Sequence, residues 1–199
     1  DPYYFAPAAE SFHEVITPWQ RSFQTQIGRN HAKYFDANGW LYFTKERFDL
    51  FYPSYGDTYP IYNGSIGMTY EQGGHSRGGL GVITDDGDTL TLVDRVMHHF
   101  TTGISTIEIA SNNAQQLINE FKKYFEDGIN AKNTEYKTYV LSSNDINKLN
   151  AVKTLLTNNK IDYTNISATA FKAYNYQTEK EEEVKTSAYT IAVSAYQSK

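Results

Sequence analysis

Apolar residues at the spacing of an amphipathic helix mark the first long element of the chain. They comprise Val15, Ile16, Trp19, Phe23 and Ile27. Thr17, followed by Pro18 and Gln20, fits an N-cap, a first-turn proline and a capping-box partner. The pattern predicts a helix from Thr17 to about Phe35, which the Asp36–Gly39 turn then ends.

A second helical pattern extends from Leu92 to Phe125. Its apolar positions keep one phase throughout: Val93, Val96, Met97, Phe100, Ile104, Ile107, Ala114, Leu117, Ile118, Phe121 and Phe125. The phase predicts one long helix, with Gly103 as the candidate break and Gly128 as the stop. A helix of this kind is expected to pack its apolar face across a sheet or to link two subdomains.

Between these helices a short apolar run, Ile66–Tyr70, ends on the carboxylate of Glu71. Two glycine pairs follow, Gly73–Gly74 and Gly78–Gly79. This order predicts a strand that delivers Glu71 to the rim of a sheet, where loops often carry function. The preceding tyrosine-rich segment, Ser54–Asn63, is expected to be an ordered loop.

Composition changes at the polar stretch Asn130–Thr134. After it we predict a strand, a helix and two more strands, at residues 137–141, 146–158, 163–174 and 187–196. The charged run Lys180–Lys185 is interpreted as a solvated hairpin tip. The chain is therefore predicted to have an α/β fold with two domains, residues 1–131 and a small β-α-β-β accessory domain at 135–199.

Composition excludes several function classes. The net charge is -5, from 18 basic and 23 acidic residues without a basic stripe, which argues against nucleic acid as a partner. No apolar run reaches the roughly 18 residues of a membrane span. The chain has no cysteine, so thiolate metal sites are impossible. Because it opens without an initiator Met and closes just after a strand-like run, we expect both ends to be cuts through a longer protein.

Most candidate metal and catalytic motifs are excluded because their residues do not have the required spacing in the sequence. None of the five histidines has the His-x-x-Glu or His-x-x-x-His spacing of a zinc pair. His98 and His99 are adjacent, so they diverge on a helix and are predicted to be surface or packing residues. The turn Asp85–Asp88 lacks the twelve-residue pattern of a calcium loop. A serine elbow and a phosphate-binding loop are also missing from the sequence.

The sequence allows two interpretations of the role of Glu71. In the structural one, it pairs with Arg77 or caps a helix. In the functional one, it is a general base, since a partly desolvated carboxylate at the end of an apolar strand suits that role. His75, four residues later in the glycine-rich loop, is the histidine nearest to it along the chain.

Residues 58–66, TYPIYNGSI, together with Gly67–Glu71, resemble the closing segment of zinc carboxypeptidases of the carboxypeptidase A type. The opening DPYYF and the helix at residues 12–36 resemble the segment after that family's third zinc ligand, a histidine. The resemblance covers residues 1–130. It implies the C-terminal part of an α/β catalytic domain with few strands and long helices, with Glu71 as the general base on zinc-bound water. Tyr59, or else Tyr62, would be the substrate-facing tyrosine.

The family's His-x-x-Glu pair, its later histidine and its substrate-binding arginines have no counterpart in this chain. Zinc is therefore expected in the parent protein and its ligands outside this chain. The resemblance also implies a peptide substrate and a periplasmic or secreted location. Two alternatives stay open: a parent that is a pseudoenzyme, and a non-catalytic module that binds peptide or glycan with the aromatic residues of 52–62.

Overall fold

The computed structural model describes residues 2–74, 80–167 and 169–198. The chain is a mixed α/β protein, as predicted, and it divides into two compact units, Asp1–Lys122 and Lys123–Lys199. His75, Arg77 and Gly78–Gly79 lie outside the described residues. Among the residues that are described, no helix combines the length and apolar character needed to cross a membrane.

Within the described residues, the first unit contains two small sheets, three complete helices and the first part of a fourth. Its elements are β1 (Tyr3–Tyr4), α1 (Pro18–Asn38), β2 (Tyr42–Phe43), α2 (Thr58–Ile61), β3 (Gly81–Ile83), β4 (Thr89–Thr91) and α3 (Leu92–Asn112). Strand β1 pairs in parallel with β2, and β3 pairs with β4 as an antiparallel hairpin. The predicted capping box is confirmed, since Thr17 and Gln20 bond reciprocally at the start of α1. Gly39 ends that helix in the left-handed conformation, with φ 66°.

The second helical pattern forms two helices, α3 and α4 (Ala114–Ile129), rather than one. The break lies at Asn113 and not at Gly103, so that prediction is wrong. Asn113 leaves helical geometry, and its side-chain amide donates to the Ile109 carbonyl at 2.8 Å. Such a side chain competes with the backbone ladder, whereas a lone glycine only weakens a helix.

Helix α3 turns its polar side inward. Its buried residues are His98, Thr102 and Ser105, and they face α1 and β1. The apolar side points outward, and its exposed residues are Val93, Val96, Met97, Phe100, Ile104 and Ile107. In the unit as described, this apolar face is not packed across a sheet, which was one of the two arrangements that we expected. The other arrangement, a link between two subdomains, agrees with the division of α4 between the two units.

Three shorter predictions in this unit have different outcomes. Residues 66–70 are not a strand, and Glu71 makes only an isolated antiparallel bridge with Tyr4. The loop at 54–63 contains the helical turn α2. The turn predicted at Asp85–Asp88 is confirmed, because it closes the β3–β4 hairpin through Thr84.

The second unit consists of a three-stranded sheet, one helix and a separate hairpin. After part of α4 come β5 (Thr138–Ser143), α5 (Ile146–Asn158), β6 (Thr164–Asn165), β7 (Ala170–Asn175), β8 (Lys180–Lys185) and β9 (Tyr189–Ser194). The sheet order is β5-β9-β6, and β7 pairs with β8. Leu149 of α5 packs on Ile191 and Val193 of β9.

Two predictions for this unit are wrong. The strand expected at 163–174 is two strands, β6 and β7. The run Lys180–Lys185 is strand β8, in register with β7 from Ala170↔Lys185 to Asn175↔Lys180, and not a hairpin tip. The burial of this strand alternates along the chain, as expected for a strand with one face toward the protein. Glu182 and Val184 are half-buried, while Glu181, Glu183 and Lys185 are exposed.

Gly28 gives a sharp test of how closely α1 packs. A Cβ at this position would overlap the backbone carbonyl of Ala6, so we expect Gly28→Ala to lower the free energy of unfolding by about 1–3 kcal/mol. Gly103→Ala is the matched control, since a Cβ there meets open space and the helix should gain about 0.5–1 kcal/mol. Urea unfolding followed by fluorescence reports on this unit, because both tryptophans, Trp19 and Trp40, lie in it. Equal stability of the two variants would contradict the packing described.

Candidate functional site

The backbone of Glu71 is fixed by strand β1. The Tyr4 amide donates to the Glu71 carbonyl at 2.7 Å, and the Glu71 amide donates to the Tyr4 carbonyl at 3.1 Å. Tyr4 also pairs with Phe43 of β2, so three backbone segments lie side by side. Glu71 is therefore held at the edge of a small sheet, although the segment before it is not a regular strand.

The Glu71 carboxylate has no bonded partner among the described residues. The side chain is exposed, and in the described parts of the chain neither a hydrogen bond nor an ion pair reaches it. It also caps none of the described helices. The partial desolvation that we predicted is not observed among these residues, and the predicted pairing with Arg77 concerns a residue outside them.

Two buried glutamines of α1 hold the segment that leads to Glu71. The Gln20 amide nitrogen donates to the Ile61 and Ser65 carbonyls, both at 2.9 Å. One turn later, the Gln24 amide nitrogen donates to the Gly67 carbonyl at 2.5 Å. Sequence reasoning assigned Gln20 only to the capping box, where its oxygen does serve Thr17. Its amide nitrogen has this second role, which local spacing does not reveal.

Helix α2, which carries the candidate tyrosine Tyr59, is joined to the same segment. The Thr69 hydroxyl donates to the Asp57 carboxylate at 2.7 Å. Gly67 packs so closely on the Asp57 carbonyl that a side chain at position 67 would overlap it. The start of α2 and the residues just before Glu71 therefore form one connected structure.

The two candidate tyrosines differ in how they are used. The hydroxyl of Tyr62 donates to the Phe51 carbonyl at 2.7 Å, and its ring lies 5.3 Å from that of His13. Tyr59 is 49% exposed and lies in the first turn of α2. Tyr62 therefore serves the fold through its bond to Phe51, and Tyr59 presents more of its ring to solvent.

The residue after Glu71 is anchored to α3. The side-chain oxygen of Gln72 lies 2.7 Å from Nδ1 of His98, which therefore donates to it. Burial lowers the pKa of His98, which favours its neutral form. His98 also packs on Trp40 with ring centroids 4.5 Å apart, in agreement with its predicted packing role.

Two buried side chains close to Glu71 form hydrogen bonds to hydroxyl groups of helix α3. Tyr70, next to Glu71, lies 2.6 Å from the Thr106 hydroxyl, and burial raises the pKa of Tyr70 to about 12. His31 packs edge-on to the Tyr70 ring at 4.9 Å, with Nδ1 2.7 Å from Ser105 Oγ. These contacts join the residue before Glu71 to helices α1 and α3.

The described residues around Glu71 do not form a metal-binding site. Within the described ranges, no cluster of three or more His, Asp or Glu side chains could hold an ion. The described part of the chain does not by itself fit the zinc that the resemblance implies.

Comparison with protein-family models, curated proteins and solved structures finds no match to this chain. The relationship to zinc carboxypeptidases therefore stays a prediction.

His31 makes the stability of the first unit depend on pH. Burial lowers the pKa of His31 to about 4, against about 6.5 when the chain is unfolded. The unfolded state then binds more protons than the folded state between these values, so stability is full above about pH 6.5 and falls toward pH 4. We expect His31 to account for a loss of up to about 3 kcal/mol over that range.

Urea unfolding between pH 4 and 7 measures the loss, and nuclear magnetic resonance of the imidazole measures the titration directly. A His31 resonance that titrates near pH 6.5 in the folded protein would contradict the burial described.

Zinc titration tests the metal assignment. Because the described residues bring together no ligand set, we expect calorimetry to detect no one-to-one micromolar binding of zinc to this chain. Micromolar binding that Glu71→Gln removes would show that the chain holds its own metal site.

Proposed function

We propose that this chain is the carboxylate-bearing part of a zinc-dependent carboxypeptidase, in which Glu71 is the general base. The observation that carries the proposal is the contrast at Glu71, whose backbone is fixed while its exposed carboxylate is bonded to none of the described residues. A general base needs both properties, because it must be positioned by other groups and yet have an unoccupied oxygen for the proton it accepts.

The surroundings of Glu71 support a functional site at this place. Gln20 and Gln24 fix the preceding segment, Gln72 is bonded to His98, and Tyr70 is bonded to Thr106. The polar side chains of the two residues that flank Glu71 are therefore both bonded to helix α3. In this proposal Glu71 accepts a proton from the water that attacks the scissile peptide carbonyl.

The metal would be bound by another stretch of polypeptide. Two surfaces of the first unit support such a neighbour. Strands β1 and β2 are a parallel pair of two residues each, and parallel strands are otherwise found in larger sheets with both faces covered. The outer face of α3 exposes Val93, Phe100 and Ile107 by 71%, 61% and 65%, and apolar patches of this kind are normally covered.

For the substrate, Tyr59 is the better candidate. Its ring is half exposed on the helical turn that Asp57 and Thr69 tie to the Glu71 segment. The hydroxyl of Tyr62 donates a hydrogen bond to the Phe51 carbonyl within the fold. The proposed substrate is a peptide with a free C-terminal carboxylate.

The alternative function is a binding module without catalysis. Its supporting observation is the exposure of the aromatic residues around α2, which are Phe51, Tyr52, Tyr55 and Tyr59. Such a surface would hold a peptide or glycan by its rings alone, so Glu71 would have no part in it.

The test uses the longest polypeptide that the gene encodes around this chain, assayed for release of a C-terminal residue from a free peptide and from its C-terminal amide. We expect zinc-dependent cleavage of the free peptide only, and a 10²–10⁴-fold lower kcat for Glu71→Gln. Glu14→Gln is the matched control, because Glu14 is an exposed carboxylate elsewhere in the unit.

Tyr59→Ala separates the two functions. In the enzyme it should raise KM while leaving cleavage measurable, and Tyr62→Ala should act mainly on stability. Peptide binding that Tyr59→Ala abolishes and Glu71→Gln leaves intact, without any cleavage, would replace the proposal with the binding module.

A further inference from the structure

The outer face of α3 carries a seam of apolar side chains at alternating intervals of four and three residues. The α3 seam consists of Val93, Met97, Phe100, Ile104 and Ile107. The same intervals continue toward α4 through Ser111, Ala114, Ile118 and Phe121. This series repeats every seven residues, which is the pattern of a coiled coil and is narrower than the apolar stripe of a helix on a domain core.

The α3 seam is exposed along its whole length. Its five side chains are between 45% and 71% exposed with respect to all described residues. The buried side of α3 faces α1 and β1, through the bonds of Thr102 to Tyr3 and of Ser105 to His31. A neighbour that extended the β1–β2 pair would lie on that inward side, so the outer face of α3 needs a further cover.

The apolar area on this face matches what a dimer needs. Together with Val96, six apolar side chains of α3 are exposed, and at about 100 Å² each they offer roughly 600 Å² from one copy. That is the upper limit of the apolar patches that monomeric proteins usually leave in water. Two copies would bury roughly 1,200 Å² in total, which is enough for a specific protein–protein interface.

The charges of α3 favour a second copy over a lipid surface. Arg95 is the only Lys or Arg residue of the helix, whereas helices that lie on membranes have several on their polar face. The carboxylate of Glu108 is turned toward α1, where it accepts bonds from Asn30 and Tyr34. Asp94 is held in the capping box of the first turn. Two copies can therefore meet along the α3 seam without a charged side chain inside the contact.

We propose that the α3 seam is a self-association surface, on which a second copy of this chain places its own α3 as a two-helix coiled coil. A seven-residue seam fits another seam of the same repeat, because each side chain enters a space between four residues of the facing helix. A second copy always supplies this seam, and a two-fold dimer uses the same surface on both partners.

Sedimentation equilibrium of the full chain, at concentrations from about 1 to 300 μM, measures the association. We expect a dimer with a Kd below about 100 μM. Phe100→Glu and Ile107→Glu each place an unpaired charge in the contact, so each should weaken dimerisation at least about tenfold. Leu155→Glu is the matched control, because Leu155 of α5 and Phe100 are equally exposed, at 61% each. Circular dichroism checks that all three variants stay folded.

Cysteine cross-linking locates the contact, since the chain has no cysteine of its own. Each residue of the α3 seam is replaced by cysteine in turn, and the variants are oxidised. We expect disulfide-linked dimers at one or more of these positions, where the two Cα atoms come within about 7 Å of each other. Leu155→Cys is the control, and it should give none.

Four results would overturn the proposal. A chain that stays monomeric at about 300 μM would assign the α3 seam to a different polypeptide. A monomer that binds phosphatidylcholine vesicles, and that loses this binding in Phe100→Glu, would assign it to a lipid surface. A dimer that both glutamate variants leave intact, or one that no cysteine of the seam cross-links, would place the contact elsewhere on the chain.

Discussion

The first unit depends on satisfying the polar groups that are buried between α1 and α3. Tyr3 bonds to Thr102 and His99, His31 bonds to Ser105, and Tyr70 bonds to Thr106. A buried hydroxyl or imidazole without a partner costs about 1–3 kcal/mol, so these bonds favour turning the polar side of α3 inward, while Nε2 of His31 is buried without a described partner. The apolar side is left exposed as a consequence. Burial accordingly raises the pKa of Tyr3 to about 12.

The same contact places the candidate site. Tyr3 is anchored beneath α3, which fixes β1, and the next residue, Tyr4, forms the bridge to Glu71. From the other side, Gln20 and Gln24 of α1 hold the approach to that bridge. The position of Glu71 therefore follows from interactions that do not involve its carboxylate. This separation of positioning from chemistry is why a substitution of the carboxylate can probe function without disturbing the fold.

Local signals predicted more of this structure than long-range ones. The capping box at Thr17 and the stop at Gly39 are encoded within a few residues, and both were predicted. Which side of α3 faces inward was not predicted, because it depends on the hydroxyls of Tyr3 and Tyr70, which are distant from α3 in sequence. Strand β8 was misjudged since its charges suggested solvent, although pairing with β7 needs only one half-buried side. The position of Glu71 in the sequence, at the end of an apolar run, marked it as a candidate. Its backbone partner Tyr4 could not be predicted, because the two are distant in sequence. The catalytic role of Glu71 is still a prediction.

In the proposed function, Glu71 serves a metal bound by residues outside the described part of the chain. The most direct measurement is a crystal structure of the longest encoded polypeptide grown with zinc, with the ion located by anomalous scattering. The account predicts one zinc ion, bound by residues beyond those described in this chain, with the Glu71 carboxylate within about 5 Å of it, the reach of a bridging water. A zinc ion farther than about 8 Å from Glu71, or none at all, would contradict it.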